Sequence, residues 1–371
     1  MKKLFIITGE HSGDKHAADV VRELQKSNKD LVIEAVGGDN LEKTGIRLFC
    51  NHSKMSAVGL NLKILFDHIL LGKKITDYLN NEFKPDMVLL VDYGGFNLSM
   101  AKLLKKSGIK IYYYIPPQIW ASRKWRLKTV KKYVDKVITI FPFETKMYED
   151  AGIDVEFSGN PLLAQIPPKK DKTDFCNEYN INPNKQIVSI FPGSRVFEIK
   201  QLLNVFLEAA ELMKKKNTNI QFLLCQAPTI KDEWIHKYVP QNIRIIKNKN
   251  YDLLAVSDAL MLASGTVALE AALYETPMII SYKGPWLFYM VYLIVRCVKM
   301  VSLPNIILDK KVIPELIQKN AKPSVIAEYM LNILENKDYQ KNMIDSLKNV
   351  KELLSTENSA KKASKIILNN I

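Results

Sequence analysis

Short apolar segments alternate with longer amphipathic segments along most of this chain. In the first part, the apolar segments that predict strands are KLFIITG, LVIEAVGG, MVLLVDY, IKIYYYIP, KVITIF and VEFSG. In the second part, they are QIVSIFPG, IQFLLCQ, IRIIK, ALMLASG and PMIISYK. Segments that are apolar on both faces are typical of parallel strands covered by helices. Because strands alternate with helical patterns, we predict a doubly wound α/β sheet in each part.

The two sheets predict two domains. Residues 159–174, GNPLLAQIPPKKDKTD, combine prolines with charge and are typical of a linker. We therefore expect one Rossmann-like domain over residues 1–165 and another over residues 166–345, followed by C-terminal helices over residues 346–371. From about residue 309 onward the pattern is helical, and it predicts no further strand.

Ligands of open α/β sheets bind beyond the carboxyl ends of the strands. If the two domains face each other, the loops after their strands meet in one central cleft. The residues that directly follow the predicted strands are therefore the candidates for chemistry.

The loop after the first strand, TGEHSGD (8–14), places glycines around polar side chains. The glycines allow a tight turn into a helix that begins near Asp14. Two carboxylates would repel a phosphate, so the loop suits the hydroxyl or amide groups of a sugar. Its candidate acceptor-site residues are Glu10, Ser12, Gly13 and Asp14. The alternative is a glycine-rich turn in which Asp14 caps the helix.

Another strand ends in VDYGGFN (91–97), which places Asp92 at the strand's carboxyl end. A carboxylate there is able to act as a general base toward a hydroxyl nucleophile. The alternative is that Asp92 caps the next helix or bonds to the turn at Gly94 and Gly95.

The segment IPPQIWASRKWR (115–126) follows a third strand, and its two prolines restrict the backbone. It supplies polar, aromatic and cationic groups that are candidates for the acceptor site: Gln118, Trp120, Arg123 and Arg126. The alternative is a rigid loop with surface arginines and a packed tryptophan.

In the second part, FPGSR (191–195) lies where a strand stops and a helix begins. A helix N-terminus presents unpaired N–H groups and the positive end of the helix dipole. Gly193 permits close approach to the backbone, Ser194 is a capping residue, and Arg195 adds a cationic fork. The segment is therefore a candidate phosphate site. The alternative is a capped helix start with a solvated arginine.

A second candidate phosphate site follows a later strand, where Ser264, Gly265 and Thr266 open a helix. Glu270 lies four residues after Thr266, on the same side, where a carboxylate can accept hydrogen bonds from both ribose hydroxyls. Two helix N-termini and an acid in one domain predict a site for a nucleotide diphosphate. The alternative is two helices that are merely capped. The segment SLPN, with Asn305, indicates little by itself.

The net charge of +14, from 53 basic and 39 acidic residues, favours an anionic partner, although solubility and a lysine-rich genome explain it equally well. Basic residues with interleaved aromatics occur only near residues 123–133, so we do not expect nucleic-acid binding. The four cysteines and five histidines show no metal or disulfide spacing, which fits a reducing cytosol. The N-terminal apolar run is too short for a signal peptide.

Two apolar segments, residues 60–74 and 285–300, are shorter than the roughly 20 residues that span a bilayer. In the first, Leu62, Leu65, Phe66 and Ile69 follow helical spacing. The second contains Trp286 and Phe288 and ends near basic residues. Each predicts either an interfacial membrane contact or a buried core helix.

The motifs GEHSGD, VDYGGFN, PPQIWASRKWR, FPFE, FPGSR, SGTVALE and VSLPN occur in this order between residues 9 and 305. In them the chain resembles the lipid-A-disaccharide synthases, glycosyltransferases whose two Rossmann-like domains face a central cleft (the GT-B type). The resemblance implies transfer of a sugar from UDP-2,3-diacylglucosamine to 2,3-diacylglucosamine 1-phosphate, giving a β-1,6-linked disaccharide 1-phosphate and UDP. In such two-domain transferases the last helix often returns to the first domain.

The resemblance implies a donor site at the two phosphate-site segments, Glu270 and Asn305, and an acceptor site at the loop of residues 8–14. It implies that Asp92 is the base of an inverting transfer, for which one carboxylate suffices without a metal or cofactor. At Gly94 and Gly95 many members of the family have Pro-Asp instead, and at Ser122 many have Trp.

The resemblance also implies a cytoplasmic enzyme that associates peripherally with the anionic inner membrane of a Gram-negative bacterium, and it is compatible with a homodimer. The rival interpretations are another UDP-N-acetylglucosamine enzyme of this architecture, either a 2-epimerase or a peptidoglycan-precursor transferase, and a basic nucleic-acid-binding α/β protein. An epimerase should not need the two apolar segments.

Overall fold

The computed structural model describes residues 1–51, 62–122, 124–285, 298–355 and 358–371, without the side chains of residues 62–67 and 122. The described chain forms two compact units. The first unit contains Met1–Ala164 and Leu354–Ile371, and the second contains Gln165–Leu353. The second boundary predicted from the sequence, residue 345, lies inside the helix Lys337–Leu354.

The first unit is built on a parallel sheet whose strand order is β3-β2-β1-β4-β5-β6-β7. The strands are β1 (Lys3–Ile7), β2 (Val32–Gly37), β3 (Arg47–Asn51), β4 (Met87–Val91), β5 (Lys110–Tyr114), β6 (Lys136–Thr139) and β7 (Val155–Phe157). The chain moves outward from β1 to β3 and then returns to place β4 beside β1. The order therefore reverses between β1 and β4, the point at which doubly wound sheets bind ligands.

Helices cover both faces of this sheet because its strands are apolar on both faces. Leu4 and Ile6 of β1 belong to one core, and Phe5 and Ile7 belong to the other. The α-helices of this unit are His11–Ser27, Asp39–Glu42, Leu62–Tyr78, Gly94–Leu104, Ile119–Ser122, Arg126–Tyr133, Pro142–Asp150 and Ser359–Leu368, and the short helix Leu162–Gln165 crosses into the second unit. The C-terminal helix Ser359–Leu368 packs against the helix His11–Ser27.

The second unit repeats this plan with the strand order β10-β9-β8-β11-β12-β13. Its strands are β8 (Gln186–Phe191), β9 (Ile220–Gln226), β10 (Arg244–Lys247), β11 (Ala259–Ala263), β12 (Met278–Tyr282) and β13 (Glu315–Ile317). Its α-helices are Lys172–Glu178, Val196–Lys216, Asn250–Val256, Val267–Leu273, Leu303–Leu308, Pro323–Glu335 and Lys337–Leu354. Here the order reverses between β8 and β11.

The predicted fold class of two Rossmann-like doubly wound sheets with a helical C-terminal end is confirmed. The prediction of no strand after residue 309 is wrong, because β13 pairs in parallel with β12. A strand of three residues is too short to show a period in the sequence. β3 was also not predicted. Among the described residues, no helix is both long enough and apolar enough to cross a bilayer.

Candidate functional site

In the first unit, the loops after β1 and β4 meet because these two strands are neighbours in the sheet. The helix after β1 begins at His11, with Glu10 at its N-cap, and not near Asp14 as the sequence predicted. The helix after β4 begins at Gly94. Between them lies Asp92, half-buried in a turn where its φ is +52°.

The backbone of Asp92 is held by buried neighbours. Its N–H donates to the carbonyl of Tyr114 over 3.1 Å. Its carbonyl oxygen accepts hydrogen bonds from the hydroxyl of Tyr113 at 2.8 Å and from Nδ2 of Asn97 at 2.9 Å. Asn97 Nδ2 also contacts the carbonyls of Ile7 and Val91, at the ends of β1 and β4. These bonds stabilise a backbone conformation that is unfavourable for a residue other than glycine.

The carboxylate of Asp92 accepts one hydrogen bond on each oxygen. Ser12 Oγ donates to Oδ2 over 3.0 Å, and the N–H of Tyr93 donates to Oδ1 over 2.8 Å. A carboxylate offers about four acceptor positions, so a substrate hydroxyl is able to donate to it as well. Gly13 permits this packing, since a Cβ at residue 13 would lie 3.1 Å from the Cβ of Asp92.

A second carboxylate lies close to Asp92. Partial burial, and then the negative charge of Asp92, raise the pKa of Glu10 above its ordinary value. Glu10 itself is exposed at the N-cap position and makes no capping hydrogen bond through its side chain. The structure therefore brings Glu10, Ser12, Gly13 and Asp92 together, as predicted from their places after β1 and β4.

The sequence predicts that Asp14 contacts a ligand, and the structure gives this residue a different role. Its carboxylate is buried, with a relative exposure of 1%. It accepts hydrogen bonds from the N–H groups of Gly38 and Leu41, and from both the N–H and Nδ2 of Asn40. Asp14 therefore stabilises the turn after β2. Its carboxylate oxygens accept hydrogen bonds from these protein groups, and not from a substrate as the sequence predicts.

The segment of residues 115–126 also differs in part from expectation. Trp120 is buried, and its Nε1 donates to Oε1 of Glu144 over 2.7 Å. The indole is therefore a packing group, which was the alternative interpretation. Gln118 is exposed, and Arg126 Nη1 lies 3.5 Å from where a Cβ on Gly94 would be, beside the Asp92 turn. Arg123 lies outside the described residues.

Glu144 was not singled out from the sequence, although it ends the FPFE motif. Complete burial raises its pKa from 4.5 to about 8, and its hydrogen bonds with Trp120 and nearby N–H groups only partly oppose this shift. Within the described residues, its Oε2 has no hydrogen-bond partner. A buried carboxyl group in this environment favours the protonated form.

Most of the side chains predicted to contact the membrane lie outside the described part of the structure. Of the first apolar segment, Ile69 is described and is 52% exposed. The side chains of Leu62, Leu65 and Phe66 lie outside the described set, although their backbone belongs to the helix Leu62–Tyr78. Trp286 and Phe288 lie in the undescribed range 286–297.

In the second unit, a cavity of about 540 Å³ lies at the carboxyl ends of β8, β9 and β11. It is lined by most of the predicted donor-site residues: Gly193, Ser194, Arg195, Ser264, Gly265, Thr266 and Glu270. The two candidate phosphate loops therefore share one cavity at the point where the strand order reverses. This is the position expected for a ligand of a doubly wound sheet.

Within FPGSR, the backbone of Gly193 has φ +123°, a region open essentially to glycine. The sequence predicts Ser194 as the N-cap residue of the following helix. In the structure this helix begins at Val196, and its N-cap residue is Arg195. Instead, Glu198 Oε2 accepts from the N–H groups of Ser194 at 2.8 Å and Arg195 at 3.2 Å. The Arg195 guanidinium donates to Glu198 Oε1 over 2.9 Å, while the arginine side chain is 79% exposed.

Glu270 lines the same cavity as Thr266, from a position one turn further along the helix Val267–Leu273. The hydroxyl of Tyr251 donates to its Oε1 over 3.4 Å. Burial raises the pKa of Glu270, and this hydrogen bond partly opposes the rise. Burial, followed by the charge of Glu270, raises the pKa of Cys225 to about 12, so the protonated thiol is favoured at neutral pH. The carboxylate of Glu270 remains able to accept from ligand hydroxyls.

Asn305 was predicted for the donor site, and the structure gives it another role. It is fully buried, and its Nδ2 donates to the carbonyl of Ile313 and to Oε1 of Glu315, each over 2.9 Å. Its Oδ1 accepts from the N–H groups of Val312 and Ile313. Asn305 therefore ties the helix Leu303–Leu308 to the loop before β13 and to Glu315 at the start of β13, and it is not among the residues that line the donor cavity.

Further residues of the donor cavity were missed: Glu198, Cys225, Gln226, Asn248 and Asn250. Three of them were predictable as cavity residues from their places in the sequence, because Gln226 ends β9 and the two asparagines follow β10. The rule that places ligands after strand ends applies to these strands as well. Within the described part of the chain, no group of three or more His, Cys, Asp or Glu side chains is arranged to hold a metal ion.

Comparisons with known proteins agree with this arrangement. A family model described as lipid-A-disaccharide synthetase matches residues 4–369. A lipid-A-disaccharide synthase of Coxiella burnetii is 36% identical over 373 residues, covering 100% of this chain and 99% of that protein. Among solved structures, the fold is similar to a putative UDP-N-acetylglucosamine 2-epimerase from Listeria monocytogenes, with a TM-score of 0.66 and 12% identity, covering 99% of this chain and 95% of the other.

A UDP-N-acetylglucosamine 2-epimerase from Neisseria meningitidis, solved with UDP-N-acetylglucosamine bound, gives a TM-score of 0.61 at 16% identity, with 100% and 99% of the two chains covered. At these identities the likeness of the solved structures concerns the fold alone.

Proposed function

Because this chain belongs to the lipid-A-disaccharide synthetase family, and is thus a glycosyltransferase of lipid A disaccharide synthesis, we propose that it joins two acylated glucosamines. The donor is UDP-2,3-diacylglucosamine, and the acceptor is 2,3-diacylglucosamine 1-phosphate. The products are the β-1,6-linked disaccharide 1-phosphate and UDP. The observation that carries this proposal is the single cavity that gathers both candidate phosphate loops and Glu270 in the second unit.

The donor cavity supplies the groups that a uridine diphosphate needs. The exposed guanidinium of Arg195 provides a fixed cation for the diphosphate. The Ser264 and Thr266 hydroxyls, at the turn after β11, provide neutral donors. Glu270, at the buried end, accepts from the ribose hydroxyls. Stabilisation of the departing diphosphate by these groups removes the need for a separate general acid.

Asp92 is the general base of this proposal. As the acceptor's 6-hydroxyl oxygen attacks the anomeric carbon, its proton passes to Asp92, and the bond from the anomeric carbon to the diphosphate breaks. The electron pair of that bond leaves with UDP. One displacement inverts the anomeric configuration. The hydrogen bonds from Ser12 and Tyr93 orient the carboxylate for this transfer. The proposal assigns contact with the acceptor's sugar to Glu10, whose proximity to Asp92 supports this role.

The apolar helix Leu62–Tyr78 and the net charge of +14 support action at an anionic membrane surface. We propose that the enzyme works at the cytoplasmic face of the inner membrane, where both acylated substrates reside. The exposure of Ile69 fits this location. The alternative is a UDP-N-acetylglucosamine enzyme of the same fold without lipid substrates, which gives no use for an exposed apolar helix face.

The test is a coupled assay with purified protein in detergent. The protein is given both acylated substrates, and UDP release and the disaccharide are followed by mass spectrometry. Equal amounts of UDP and disaccharide are expected. UDP release without disaccharide would indicate hydrolysis or a different acceptor. A parallel reaction contains UDP-N-acetylglucosamine alone. Its conversion to the 2-epimer, with no disaccharide formed in the first reaction, would support the alternative enzyme and contradict the proposal.

A further inference from the structure

A carboxylate lines the donor cavity beside the candidate phosphate loop FPGSR. Glu198 is the third residue of the helix Val196–Lys216, and its side chain is 13% exposed. It lines the cavity together with Ser194 and Arg195. A negative charge at this place repels a phosphate group, so Glu198 affects how the cavity binds an anion.

Both carboxylate oxygens of Glu198 contact the groups that make FPGSR a candidate phosphate site. Oε2 accepts hydrogen bonds from the N–H of Ser194 at 2.8 Å and from the N–H of Arg195 at 3.2 Å. Oε1 accepts from the guanidinium of Arg195 at 2.9 Å. Each backbone N–H has a single hydrogen to donate. Because both of these hydrogens point to Oε2, a phosphate oxygen binds them only when the carboxylate moves away.

An ordinary capping role explains only part of this arrangement. In a capping box, a glutamate at the third helical position accepts a hydrogen bond from the N–H of the N-cap residue, which here is Arg195. Glu198 also accepts from the N–H of Ser194 and from the guanidinium. Its carboxylate therefore makes the contacts that one phosphate group would make, to two backbone N–H groups and a cationic side chain.

The loop has a second support besides Glu198. The hydroxyl of Thr229, in the segment after β9, donates to the carbonyl oxygen of Ser194 over 2.6 Å. This bond holds the backbone of Ser194 from another element of the unit. The glutamate side chain, in contrast, has three rotatable bonds, so its carboxylate is able to move without a change in the backbone. The N–H groups therefore remain in place for another anion when the carboxylate leaves.

We propose that Glu198 is a displaceable internal competitor of the donor's diphosphate. Its carboxylate and one phosphate group bind the same two N–H groups and the same guanidinium in turn. The inference rests on the proposed function for the identity of the ligand, a nucleoside diphosphate ester. The apparent affinity for this ligand is the intrinsic affinity multiplied by the fraction of molecules in which the carboxylate has moved away. Return of the carboxylate after the transfer favours the release of UDP.

The experiment compares Glu198→Ala with Glu208→Ala. Glu208 is exposed on the same helix and is not among the residues that line the donor cavity. Calorimetry gives the affinity of each full-length protein for UDP and for pyrophosphate. Ligand-observed NMR gives the affinity for uridine, which has no phosphate group. Thermal unfolding checks the fold of each variant.

We expect Glu198→Ala to bind UDP and pyrophosphate about tenfold more tightly than the wild type, which corresponds to a carboxylate that occupies the loop in about nine of ten molecules. Uridine should bind both proteins equally, because it does not compete with the carboxylate. Glu208→Ala should match the wild type for all three ligands. Unchanged or weaker binding of UDP and pyrophosphate by folded Glu198→Ala would overturn the inference, and so would an equal gain for uridine.

Glu198→Gln is the second variant, for use if Glu198→Ala does not fold. It keeps the size of the side chain and one acceptor oxygen for the two N–H groups. Its amide nitrogen cannot accept from the guanidinium, so Arg195 is released and pyrophosphate should bind more tightly. Wild-type affinity for pyrophosphate in this variant would overturn the inference.

Pyrophosphate also separates this inference from the proposed function, because its binding does not depend on the nucleotide. If the wild type does not bind UDP, the proposed function fails. Tighter binding of pyrophosphate by the Glu198 variants would then still support Glu198 as a competitor. If the wild type binds UDP and forms the disaccharide, but the variants gain no affinity for either anion, the proposed function stands and the inference fails.

Discussion

Ser12 donates its hydroxyl hydrogen to Oδ2 of Asp92 over 3.0 Å, which joins the first turn of the helix after β1 to the turn after β4. The two residues are 80 positions apart in the chain. The contact exists because β1 and β4 are neighbours where the strand order reverses. The carboxylate is therefore oriented from two strands at once, which suits a group that must meet a substrate hydroxyl in a defined direction.

Replacing this carboxylate should abolish most turnover. We expect Asp92→Asn to lower kcat by about two to four orders of magnitude, because the amide cannot accept the proton. UDP affinity by calorimetry should be unchanged, since the donor cavity lies in the other unit. Asp150→Asn, which removes an exposed carboxylate with one surface ion pair, is the matched control. Near-normal turnover of Asp92→Asn would exclude Asp92 as the base.

The hydroxyl of Tyr113 should matter through the position of Asp92. Tyr113→Phe removes the hydrogen bond to the Asp92 carbonyl and leaves the buried ring in place. We expect kcat to fall about five- to tenfold, which corresponds to roughly 1 kcal/mol, with acceptor KM and UDP affinity nearly constant. Tyr112→Phe, on the other face of β5, should have wild-type kinetics. An equal loss in both variants would indicate a general effect on the strand.

Arg195 should contribute directly to donor affinity. Arg195→Ala removes a charge-assisted contact to the diphosphate, and we expect UDP to bind about 10- to 100-fold more weakly by calorimetry. The loss should shrink at high salt because the side chain is exposed. Arg22→Ala removes a surface arginine paired with Asp19 and should leave UDP affinity unchanged. Unchanged affinity in Arg195→Ala would remove Arg195 from the donor site.

Two glycines of the donor cavity should respond differently to alanine. Gly193 has φ +123°, and a Cβ there would lie 2.5 Å from Oε2 of Glu198. Gly193→Ala should therefore lower the free energy of unfolding by about 1–3 kcal/mol and weaken UDP binding. A Cβ at residue 265 would lie in open space, so Gly265→Ala should keep wild-type stability. The comparison is made by urea denaturation, and equal stability of both variants would contradict the strain argument.

Stability should depend on pH through Glu144. Its pKa is 4.5 ordinarily and about 8 in the folded protein, so folding takes up a proton between these values. Its contribution is complete below pH 4.5 and is lost as pH rises toward 8, by at most about 1.4 kcal/mol per pH unit. Glu144→Gln stays neutral and keeps an acceptor for Trp120, so denaturation from pH 5 to 8 should show a flatter profile. Glu149→Gln, exposed on the same helix, should not change the profile.

The positions of Asp92, Arg195 and Glu270 were predictable because the strands before them are apolar on both faces. Buried parallel strands leave a clear pattern, and ligands collect at their carboxyl ends. β13 shows no such pattern, because a strand of three residues is too short for a hydrophobic period to be detected in the sequence.

The roles of Asp14, Trp120 and Asn305 were not predictable in the same way. Asp14 and Trp120 lie in helices that begin just after strand-end loops, Asn305 lies in the helix Leu303–Leu308, and each has the chemistry of a ligand-binding residue. The structure shows that their polar atoms bind the protein itself, through partners that are 7 to 27 positions away. A sequence pattern assigns a residue to an element, but it does not show which neighbour satisfies its hydrogen bonds.

The C-terminal helix has a consequence for how the chain is made. The first unit is completed by Ser359–Leu368, where Ser359 contacts Tyr114 and Ser158, and Ile367 enters the core beneath β1. During synthesis the second unit, which is contiguous, has all of its residues before the first unit does. Part of the apolar face of the N-terminal sheet therefore stays uncovered until the residues of Ser359–Leu368 have been synthesised. Premature termination after Leu354 should leave a polypeptide whose second unit is folded and whose first unit depends on chaperones.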